Sequence, residues 1–571
     1  MTSSIFLFLR RLRRPLLVLI FSYAAGTLGL VLIPGADAEG RPVHLDFLHA
    51  FYIVTYTGTT IGFGEIPYAF TPLQRLWMIV TIYVTVIAWV YSIGSIIATL
   101  QEPALRRVIA QRRFEREVRG IDQPFYLVCG HGDTGAMIVR ELRRYGYAVV
   151  VLDIVMERLD ELSLLDLGMP IPAFCYDASQ PDNLVAAGLR HPRCIGVLGF
   201  TGSDEVNLAV AMAARLLNPR VPAICRSYSA ETAANMASFG TRHIVNPFAV
   251  ISERVRLAFR APSALAIHDC LTSSYRTPVE PPLRMPRGHW VVCGHGRFGS
   301  AVVEQLLAAG NTVRVIEPDA RRLPDLPGTV FGRGTEAPAL LEAGIAEADG
   351  IVAGTDNGIN NLSIVVTARE LNPRVFTTAR QVTQGERLLF KQAGLDLRVR
   401  LTYLAATEAV ELLRNPLLPC FLDHLNECEE PWAAALLSRL AAVIGDASPT
   451  TWSVTLAPGS APAPSAALAA GHPVTLGLLL RNPRTRARPL AAVALLLRRE
   501  GRSIVLPDEE LPLRPGDELL FCGLRHAEQR MCWALQNVDV LNYLATGAER
   551  PSGWVWRWLA RRRGSGAQPR A

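Results

Sequence analysis

Residues 125–135, FYLVCGHGDTG, join a short apolar run to a glycine-rich GxGxxG loop. Residues 290–299, WVVCGHGRFG, repeat the pattern. In each copy a second apolar run ends in an acidic residue, Asp153 or Glu317, 23 positions after the first glycine of the loop (153 − 130 and 317 − 294). A strand, a GxGxxG loop that opens a helix and an acid about 20 residues later form the dinucleotide-binding fingerprint of a Rossmann unit.

The repeat extends well beyond the two loops. Residues 207–221 and 361–375 both begin with Asn-Leu and end with Leu-Asn-Pro-Arg-Val. An internal match of this length predicts two whole α/β domains, which we place at residues 124–270 and 289–445, joined by a linker at residues 271–288.

Both loops are predicted to bind a nucleotide, because a helix N-terminus offers unpaired N–H groups and partial positive charge to phosphate. Asp153 and Glu317 suit ribose hydroxyls and would repel a 2′-phosphate, which favours NAD, ADP or ATP over NADP. A Rossmann fold that keeps its shape without a ligand remains the alternative. The candidate nucleotide-binding residues are Gly130, Gly132, Asp133, Thr134, Gly135, Asp153 and Asp177 in the first copy, and Gly294, Gly296, Arg297, Phe298, Gly299 and Glu317 in the second.

The two copies differ at one of these positions. Aligning Gly188 with Gly344 places Asp177 of the first copy opposite Arg333 of the second. A change from an acidic to a basic residue predicts that the two copies, if both bind, take different ligands.

The first hundred residues hold two apolar runs. Residues 16–33 and 76–100 contain no charged side chain, and each is long enough to cross a bilayer as a helix of about 20 residues. Arginines flank both runs on their outer sides, at positions 10, 11, 13 and 14 and at positions 106, 107, 112 and 113. By the positive-inside rule both ends of the helical hairpin, and therefore both chain termini, face the cytoplasm.

One alternative concerns residues 36–38, Ala-Asp-Ala, which resemble a signal-peptidase site. The apolar segment before them is longer than the roughly 7–15 residues of a signal core, so we favour the hairpin. Cleavage at this site would remove the first helix.

Charge and cysteine content argue against a nucleic-acid-binding protein and against a disulfide-stabilised one. The net charge of +7 is scattered along the chain except at the flanks of the apolar runs, so we predict no nucleic-acid partner. All ten cysteines lie at or beyond Cys129, without CxxC pairs or zinc-like spacing, and we expect buried thiols such as Cys129 and Cys293 instead of disulfides.

Between the apolar runs, residues 57–65 read TGTTIGFGE. A potassium ion in a pore exchanges its water shell for rings of backbone carbonyls. A chain that aims successive carbonyls at one axis needs alternate residues in unusual conformations, which glycine reaches at little cost. The motif resembles the selectivity filter of potassium channels, and the candidate filter residues are Thr60, Ile61, Gly62, Phe63 and Gly64. Phe63 replaces the commoner Tyr and Glu65 the commoner Asp.

The resemblance extends over residues 12–545. The repeats resemble RCK (KTN/TrkA-N) domains, and the combination resembles bacterial potassium channels with tandem RCK domains. It implies a membrane α-helical two-helix pore domain, tetrameric, joined to two cytosolic α/β Rossmann-like RCK domains and a small α+β TrkA-C-like subdomain. The bounds we assign are a cytoplasmic N-terminus at 1–14, a pore domain at 15–101 (outer helix 15–35, pore helix 45–58, filter 59–65, inner helix 73–101), a linker at 102–123, the TrkA-C-like subdomain at 450–545 and a tail at 546–571.

The implied function is a potassium-selective channel, not an enzyme, in a bacterial-type inner membrane. Its implied ligands are K⁺ as the permeant ion, NAD or ADP/ATP as regulators and a divalent cation such as Ca²⁺, whose site stays unknown because the carboxylates show no pattern. The implied partners are three further copies in a homotetramer and the lipid bilayer.

Two other functions remain open. A membrane-anchored NAD-dependent oxidoreductase would explain the Rossmann pair but not TTIGFG, and no segment indicates a catalytic acid or base. A regulatory subunit of a potassium transporter would usually lack membrane helices.

The end of the chain is less patterned. We predict an Ala/Pro/Gly-rich loop over residues 450–471 and strands near residues 474–480, 491–497 and 518–522. The tail carries Trp residues at 554–558 and arginines at 561–563 that suit a membrane surface, although a disordered or packed tail is favoured.

Overall fold

The structure is a computed structural model that describes residues 2–36, 41–67, 69–101, 103–168, 170–241, 243–273 and 275–548. The tail positions 554–558 and 561–563, and residues 37 and 38 of the signal-like site, lie outside the described residues. The chain forms two compact units, residues 1–117 and 118–571.

The N-terminal unit is mainly helical. Its elements are α1 (Thr2–Leu32), β1 (Gly35–Ala36), β2 (Pro42–Val43), α2 (Phe47–Gly58), α3 (Pro72–Gln101) and the start of α4 (Pro103–Arg119). The predicted N-terminal segment 1–14 continues into the outer helix as one element, because α1 already begins at Thr2. The outer helix ends at Leu32 instead of residue 35, and the predicted linker 102–123 is mostly helix α4.

Two segments, Arg13–Leu32 in α1 and Pro72–Ala98 in α3, are long and apolar enough to cross a membrane. Glycines bring the two helices together. Trp77 of α3 donates from its indole Nε1 to the Gly26 carbonyl of α1 at 3.1 Å. A Cβ atom at Gly29 would fall 2.1 Å from the Trp77 ring, so only glycine fits there.

The C-terminal unit begins with the two copies of the repeat. The first contains β3 (Phe125–Cys129), α5 (Asp133–Arg144), β4 (Ala148–Asp153), α6 (Met156–Leu164), β5 (Ala173–Cys175), α7 (Pro181–Ala186), β6 (Cys194–Gly199), α8 (Asp204–Leu217), β7 (Ala223–Arg226), α9 (Ala230–Ser238), β8 (His243–Val245), α10 (Pro247–Arg260) and α11 (Pro262–Thr272).

The second copy repeats this order. It contains β9 (His289–Cys293), α12 (Arg297–Ala308), β10 (Thr312–Glu317), β11 (Val330–Phe331), α13 (Ala337–Glu342), β12 (Gly350–Ala353), α14 (Gly358–Leu371), β13 (Phe376–Arg380), α15 (Arg387–Gln392), β14 (Leu397–Val399), α16 (Leu401–Arg414), α17 (Leu418–Glu427) and α18 (Glu430–Ile444), with 3₁₀ turns at Ala320–Arg322, Ile345–Glu347 and Gln384–Glu386.

Each copy forms a six-stranded parallel sheet. The strand orders are β5-β4-β3-β6-β7-β8 and β11-β10-β9-β12-β13-β14. The first strand of each copy is central and reads as a buried apolar run, as expected for a sheet covered on both faces. The order reverses beside this strand, which is where doubly wound sheets open a ligand crevice at their carboxyl edge. The two predicted Rossmann-like domains are confirmed.

Two helices cross between the copies. Helix α10 follows the last strand of the first copy but packs against α12 of the second, where Ile251 and Val302 share a core. Helix α16 follows the last strand of the second copy but packs through Ala405 and Ala409 against α5 of the first. The structure therefore places α16, which falls inside the predicted second domain at 289–445, on the first copy.

The C-terminal subdomain is α+β, as predicted. It contains β15 (Thr450–Thr455), α19 (Pro462–Ala469), α20 (Leu476–Leu479), β16 (Ala492–Arg499), β17 (Arg502–Val505), β18 (Glu518–Gly523), α21 (Arg525–Gln536) and α22 (Val538–Thr546). The sheet order β15-β18-β16-β17 is antiparallel throughout.

Two sequence assignments in this subdomain were wrong. Residues 450–471, predicted as a loop, contain β15 and α19. The helix forms despite its prolines because Pro462 lies in the first helical turn, where no N–H is needed. Residues 474–480, predicted as a strand, contain the short helix α20, whose N-cap Thr475 accepts a hydrogen bond from the Leu478 N–H.

The crossed packing of α16 predicts a stability difference within one helix. We expect Ala409→Leu to destabilise the protein by about 1–3 kcal/mol, because Ala409 is fully buried against α5 and leaves no room for a larger side chain. Thr407→Leu, at a partly exposed position of the same helix, is the matched control. Thermal unfolding of the purified full chain in detergent measures both, and equal melting temperatures would contradict this packing.

Candidate functional site

The pore loop follows α2 directly and alternates its backbone conformation. Thr60, Gly62 and Gly64 have left-handed φ angles of 62°, 68° and 93°. Thr60 is the unusual member, because a β-branched residue rarely adopts this conformation. The loop is also tied to the helix before it, since the Ile61 N–H donates to the Tyr56 carbonyl at 2.9 Å. Left-handed residues thus alternate along residues 60–64, and the filter role of this segment stays a prediction.

Aromatic side chains of α2 brace this loop. The Tyr56 hydroxyl donates a hydrogen bond to the Gly64 carbonyl. The Phe63 ring stacks on Tyr52 with 6.3 Å between centroids and meets Tyr56 edge-on at 5.5 Å. The Phe63 ring is therefore held by aromatic contacts alone, while Tyr56 supplies a hydrogen bond to the next residue of the loop.

Glu65 fixes the exit of the loop. Its carboxylate accepts from Arg75 Nε at 2.8 Å and Nη2 at 3.0 Å, and from the Phe70 N–H at 2.8 Å. A bidentate arginine pair of this kind adds geometric specificity to the attraction of the charges. The loop is held at both ends by contacts within the N-terminal unit.

The first glycine-rich loop is closely packed. Gly130 has a φ of 97°, and a Cβ atom there would lie 2.7 Å from the Phe200 carbonyl oxygen. A Cβ atom at Gly135 would fall 1.9 Å from the Gly130 oxygen. Gly132, in contrast, is the N-cap of α5 and gives no side-chain cap to the helix. The first-turn N–H groups, including those of Asp133 and Thr134, therefore stay available to a ligand.

Asp153 is buried at the end of β4 and holds this loop. Its Oδ2 accepts from the His131 N–H at 2.5 Å, and its Oδ1 accepts from the Val155 N–H at 2.8 Å. Arg158 approaches the same carboxylate to 3.5 Å. Burial lowers the pKa of His131, so its ring is uncharged near neutral pH.

The second loop repeats this geometry. Gly294 has a φ of 95°, and a Cβ atom at Gly299 would fall 1.8 Å from the Gly294 oxygen. Glu317 accepts from the N–H groups of His295 at 2.6 Å and Asp319 at 3.0 Å. Gly296 is the uncapped N-cap of α12, as Gly132 is of α5.

The helix starts themselves differ between the copies. Asp133 and Thr134 open α5, whereas Arg297 and Phe298 open α12. Phe298 is fully buried, so its ring fills space beside the second loop. Arg297 stacks over the ring of Tyr228, with 4.8 Å from Cζ to the ring centroid, and so reaches a residue of the first copy.

Asp177 follows β5, at the same carboxyl edge as Asp153. Its Oδ1 accepts from the Ser179 N–H at 2.8 Å, which closes a turn. Arg333, its counterpart after β11, is exposed. The structure therefore places Asp177 near the predicted site and occupies one of its oxygens locally.

An arginine at the end of the fifth strand in each copy lies beside the glycine-rich loops and was not predicted from the sequence. Arg226 and Arg380 each lie 19 positions after the asparagine of the second repeated stretch (226 − 207 and 380 − 361). That asparagine donates to the carbonyl of its arginine at 2.9 Å and 2.8 Å. The constant spacing was the available signal for these residues.

The described residues give no evidence that thiols or a metal ion take part in the site. Burial raises the pKa of Cys129, and it raises the pKa of Cys293 to about 12, so both are inert core thiols. Within the described ranges no group of three or more His, Cys, Asp or Glu side chains is arranged to hold a metal ion. A divalent-cation ligand stays a prediction of the resemblance.

The architecture defines a class of membrane protein in which a two-helix pore-type unit precedes paired Rossmann domains. The family model described as an ion channel matches residues 16–102, and the TrkA-N domain matches residues 126–247 and 290–400. The chain belongs to the TrkA-N family and carries an ion channel domain ahead of its two TrkA-N domains. The resemblance stated from the motifs is confirmed.

Similar proteins cover parts of the chain. Potassium channel protein 1 of Methanocaldococcus jannaschii is 26% identical over 208 residues, which is 36% of this chain and 60% of that protein. Trk system potassium uptake protein TrkA of Streptomyces coelicolor is 39% identical over 164 residues, 27% of this chain and 74% of that one. The chain thus spans less than two thirds of the length of the first relative. A solved GsuK channel structure, 16% identical, covers 94% of this chain and 100% of its own with a TM-score of 0.46, a partial superposition.

The glycine geometry predicts opposite outcomes for two alanine substitutions three residues apart. We expect Gly135→Ala to lower the melting temperature of the full chain by several degrees, because its Cβ would overlap the Gly130 oxygen. Gly132→Ala should leave the melting temperature unchanged, since the nearest atom is 3.9 Å away and its φ is −72°. Differential scanning fluorimetry without ligand compares the two, and similar losses for both variants would refute this loop packing.

Proposed function

We propose that the chain is one subunit of a potassium-selective channel that is gated by a cytosolic nucleotide. The observation that carries this proposal is the alternating backbone of Thr60, Gly62 and Gly64 immediately after a short helix between two membrane-length helices. Alternation is what a chain needs to aim successive carbonyl oxygens at one axis, where they replace the water shell of K⁺.

The ion-coordinating groups in this proposal are the Thr60 hydroxyl and the carbonyls of residues 60–63. The Gly64 carbonyl accepts from Tyr56 and is therefore assigned to bracing. Non-helical backbone at membrane depth is tolerated where it lines an aqueous cavity, which fits a pore and no lipid-facing position.

One chain cannot close a ring of carbonyls, so we propose a homotetramer in a lipid bilayer. The side chains of Ile61 and Phe63 are each 60% exposed in the single chain. Many apolar side chains along α1 and α3 are exposed as well. Such apolar surface needs lipid or neighbouring subunits to cover it. The flanking arginines favour a multi-pass protein of a bacterial-type inner membrane with both termini in the cytoplasm.

The glycine-rich loops are proposed to hold NAD, ADP or ATP. Asp153 and Glu317 already bind backbone N–H groups, but each carboxylate oxygen keeps a second lone pair that can accept from a ribose hydroxyl. The uncapped starts of α5 and α12 offer N–H groups to phosphate. These features support nucleotide regulation.

Gating follows from the chain order. Helix α4 is continuous in sequence with the inner helix α3 and leads to β3, the central strand of the first copy. A nucleotide that binds one shape of the Rossmann pair more tightly than another shifts the population of that shape. We propose that α4 passes this shift to the inner helix.

The direct test is ion flux through the purified full chain in liposomes. We expect flux of K⁺ well above that of Na⁺, and a change in K⁺ flux when NAD or ADP is added on the cytoplasmic side. Selective flux that ignores nucleotide would keep the pore and remove the nucleotide role. An intact tetramer without flux, or hydride transfer from NADH to a carbonyl acceptor, would favour a regulatory subunit or an oxidoreductase.

The bracing of the loop makes a sharper prediction. We expect Tyr56→Phe to raise Na⁺ permeability relative to K⁺ several-fold, because it removes a hydrogen bond of about 0.5–1.5 kcal/mol from the Gly64 carbonyl. Tyr52→Phe keeps the ring that stacks on Phe63 and is the matched control. Reversal potentials in mixed K⁺/Na⁺ solutions measure both, and identical selectivity of the two variants would argue against the bracing role.

A further inference from the structure

Arg226 is the last residue of strand β7, and its side chain reaches the start of helix α5. The residue is 7% exposed. Its Nη1 donates to the Thr134 hydroxyl at 3.3 Å and its Nη2 to the Thr201 carbonyl at 2.6 Å. The guanidinium also lies over the Tyr228 ring, 4.6 Å from its centroid. The Nε has no hydrogen-bond partner. A buried cation with an unused donor is costly unless an anion reaches it.

The acidic side chain that acts on Arg226 through its charge, Asp204, is hydrogen-bonded to backbone N–H groups and not to the guanidinium. The Asp204 carboxylate accepts from the N–H groups of Tyr228 and Ser229, each at 2.9 Å. Asp133 is exposed at the first position of α5. No carboxylate within the described residues forms an ion pair with Arg226 at 4.0 Å or less. The hydrogen-bond partners of the guanidinium are thus neutral, and the Asp204 carboxylate acts on it only through its charge, without an ion pair.

In the second copy, the arginine at the same position forms an ion pair with an acid. Arg380, the counterpart of Arg226, donates from Nη1 to Asp356 Oδ1 at 2.8 Å. Its Cζ lies over the Phe298 ring, which replaces Thr134, at 5.8 Å from the centroid. The acid that pairs with Arg380 has no equivalent in the first copy, where Gly202 takes its place (202 + 154 = 356, the same offset as between the two arginines, 226 + 154 = 380).

We propose that the two TrkA-N domains are specialised by charge. Phosphate groups of an adenine nucleotide bind in the first domain, between Arg226 and the N-terminus of α5. The second domain binds nucleotide phosphate more weakly than the first, because Asp356 pairs with Arg380 and Phe298 fills space beside the loop. This inference rests on the proposed nucleotide regulation and names the domain and the residue that recognise the charged part of the ligand.

Gly202 allows a test that leaves the buried arginine untouched. A Cβ atom at Gly202 would meet no atom within 4 Å, and its φ is not left-handed, so an aspartate fits the backbone. Gly202→Asp copies Asp356 into the first domain, and Gly202→Asn is its neutral isostere. Arg380→Gln changes the corresponding charge in the second domain.

The measurement is isothermal titration calorimetry of the purified full chain with ADP and, separately, with uncharged adenosine. We expect Gly202→Asp to weaken ADP binding at least about ten-fold, since charge-assisted bonds to phosphate are the strong ones. Adenosine affinity should stay within about two-fold, because adenosine has no phosphate charge that an added aspartate could repel. Gly202→Asn and Arg380→Gln should bind both ligands as the unchanged chain does.

Other outcomes separate the ways in which the inference can fail. ADP binding that is the same in Gly202→Asp and Gly202→Asn would overturn it, as would a loss in Arg380→Gln that equals the loss in Gly202→Asp. An equal loss of adenosine and ADP would show a structural effect and also overturn it. An unchanged chain that binds no ADP would overturn the nucleotide half of the proposed function itself, and this inference with it.

Discussion

The C-terminal unit of the molecule depends on one hydrogen-bond arrangement that it uses twice. A buried carboxylate at the end of the second strand, Asp153 or Glu317, accepts a backbone N–H of the neighbouring glycine-rich loop. This bond positions the loop against the sheet edge, and the glycine–glycine contact at the helix start then fixes where the helix begins. Because the loop is already held without a ligand, the proposed nucleotide would meet a preformed site and lose less of its binding energy to ordering the protein.

The exchange of α10 and α16 turns the two copies into one mechanical body. Each copy contributes a helix to the core of the other, so neither core is complete alone. Interior packing is dense and does not deform continuously, so a change of shape in one copy must be accommodated in its partner. Tyr228 adds a polar link, since Arg226 of the first copy and Arg297 of the second both stack over its ring. A nucleotide bound by one copy, as proposed, would therefore act on the packing of the other copy as well.

Local motifs made the Rossmann pair and the pore hairpin predictable, because glycine spacing, a terminal acid and uncharged runs are dictated by nearby backbone chemistry. Packing at long range was not predictable in the same way. The assignment of α16 to the first copy depends on alanines whose partners lie more than 250 positions away on α5. The prolines near residue 462 looked like loop signals, yet they occupy a first helical turn where proline costs nothing. Arg226 was not predicted, because a single arginine after a strand indicates no function until its burial is known.

Duplication explains why the proposed functional difference between the copies rests on so few positions. The elements that build the site are constrained in both copies by the same loop packing, since a Cβ atom at Gly135 or Gly299 would overlap the carbonyl oxygen of the first glycine of the loop. Residues that face the crevice carry no such constraint. The changes from Thr134 to Phe298 and from Gly202 to Asp356 both act at that surface, and both reduce the space or the positive charge available to an anion. Two independent changes in the same direction are what ligand specialisation predicts, whereas random drift would leave their effects uncorrelated.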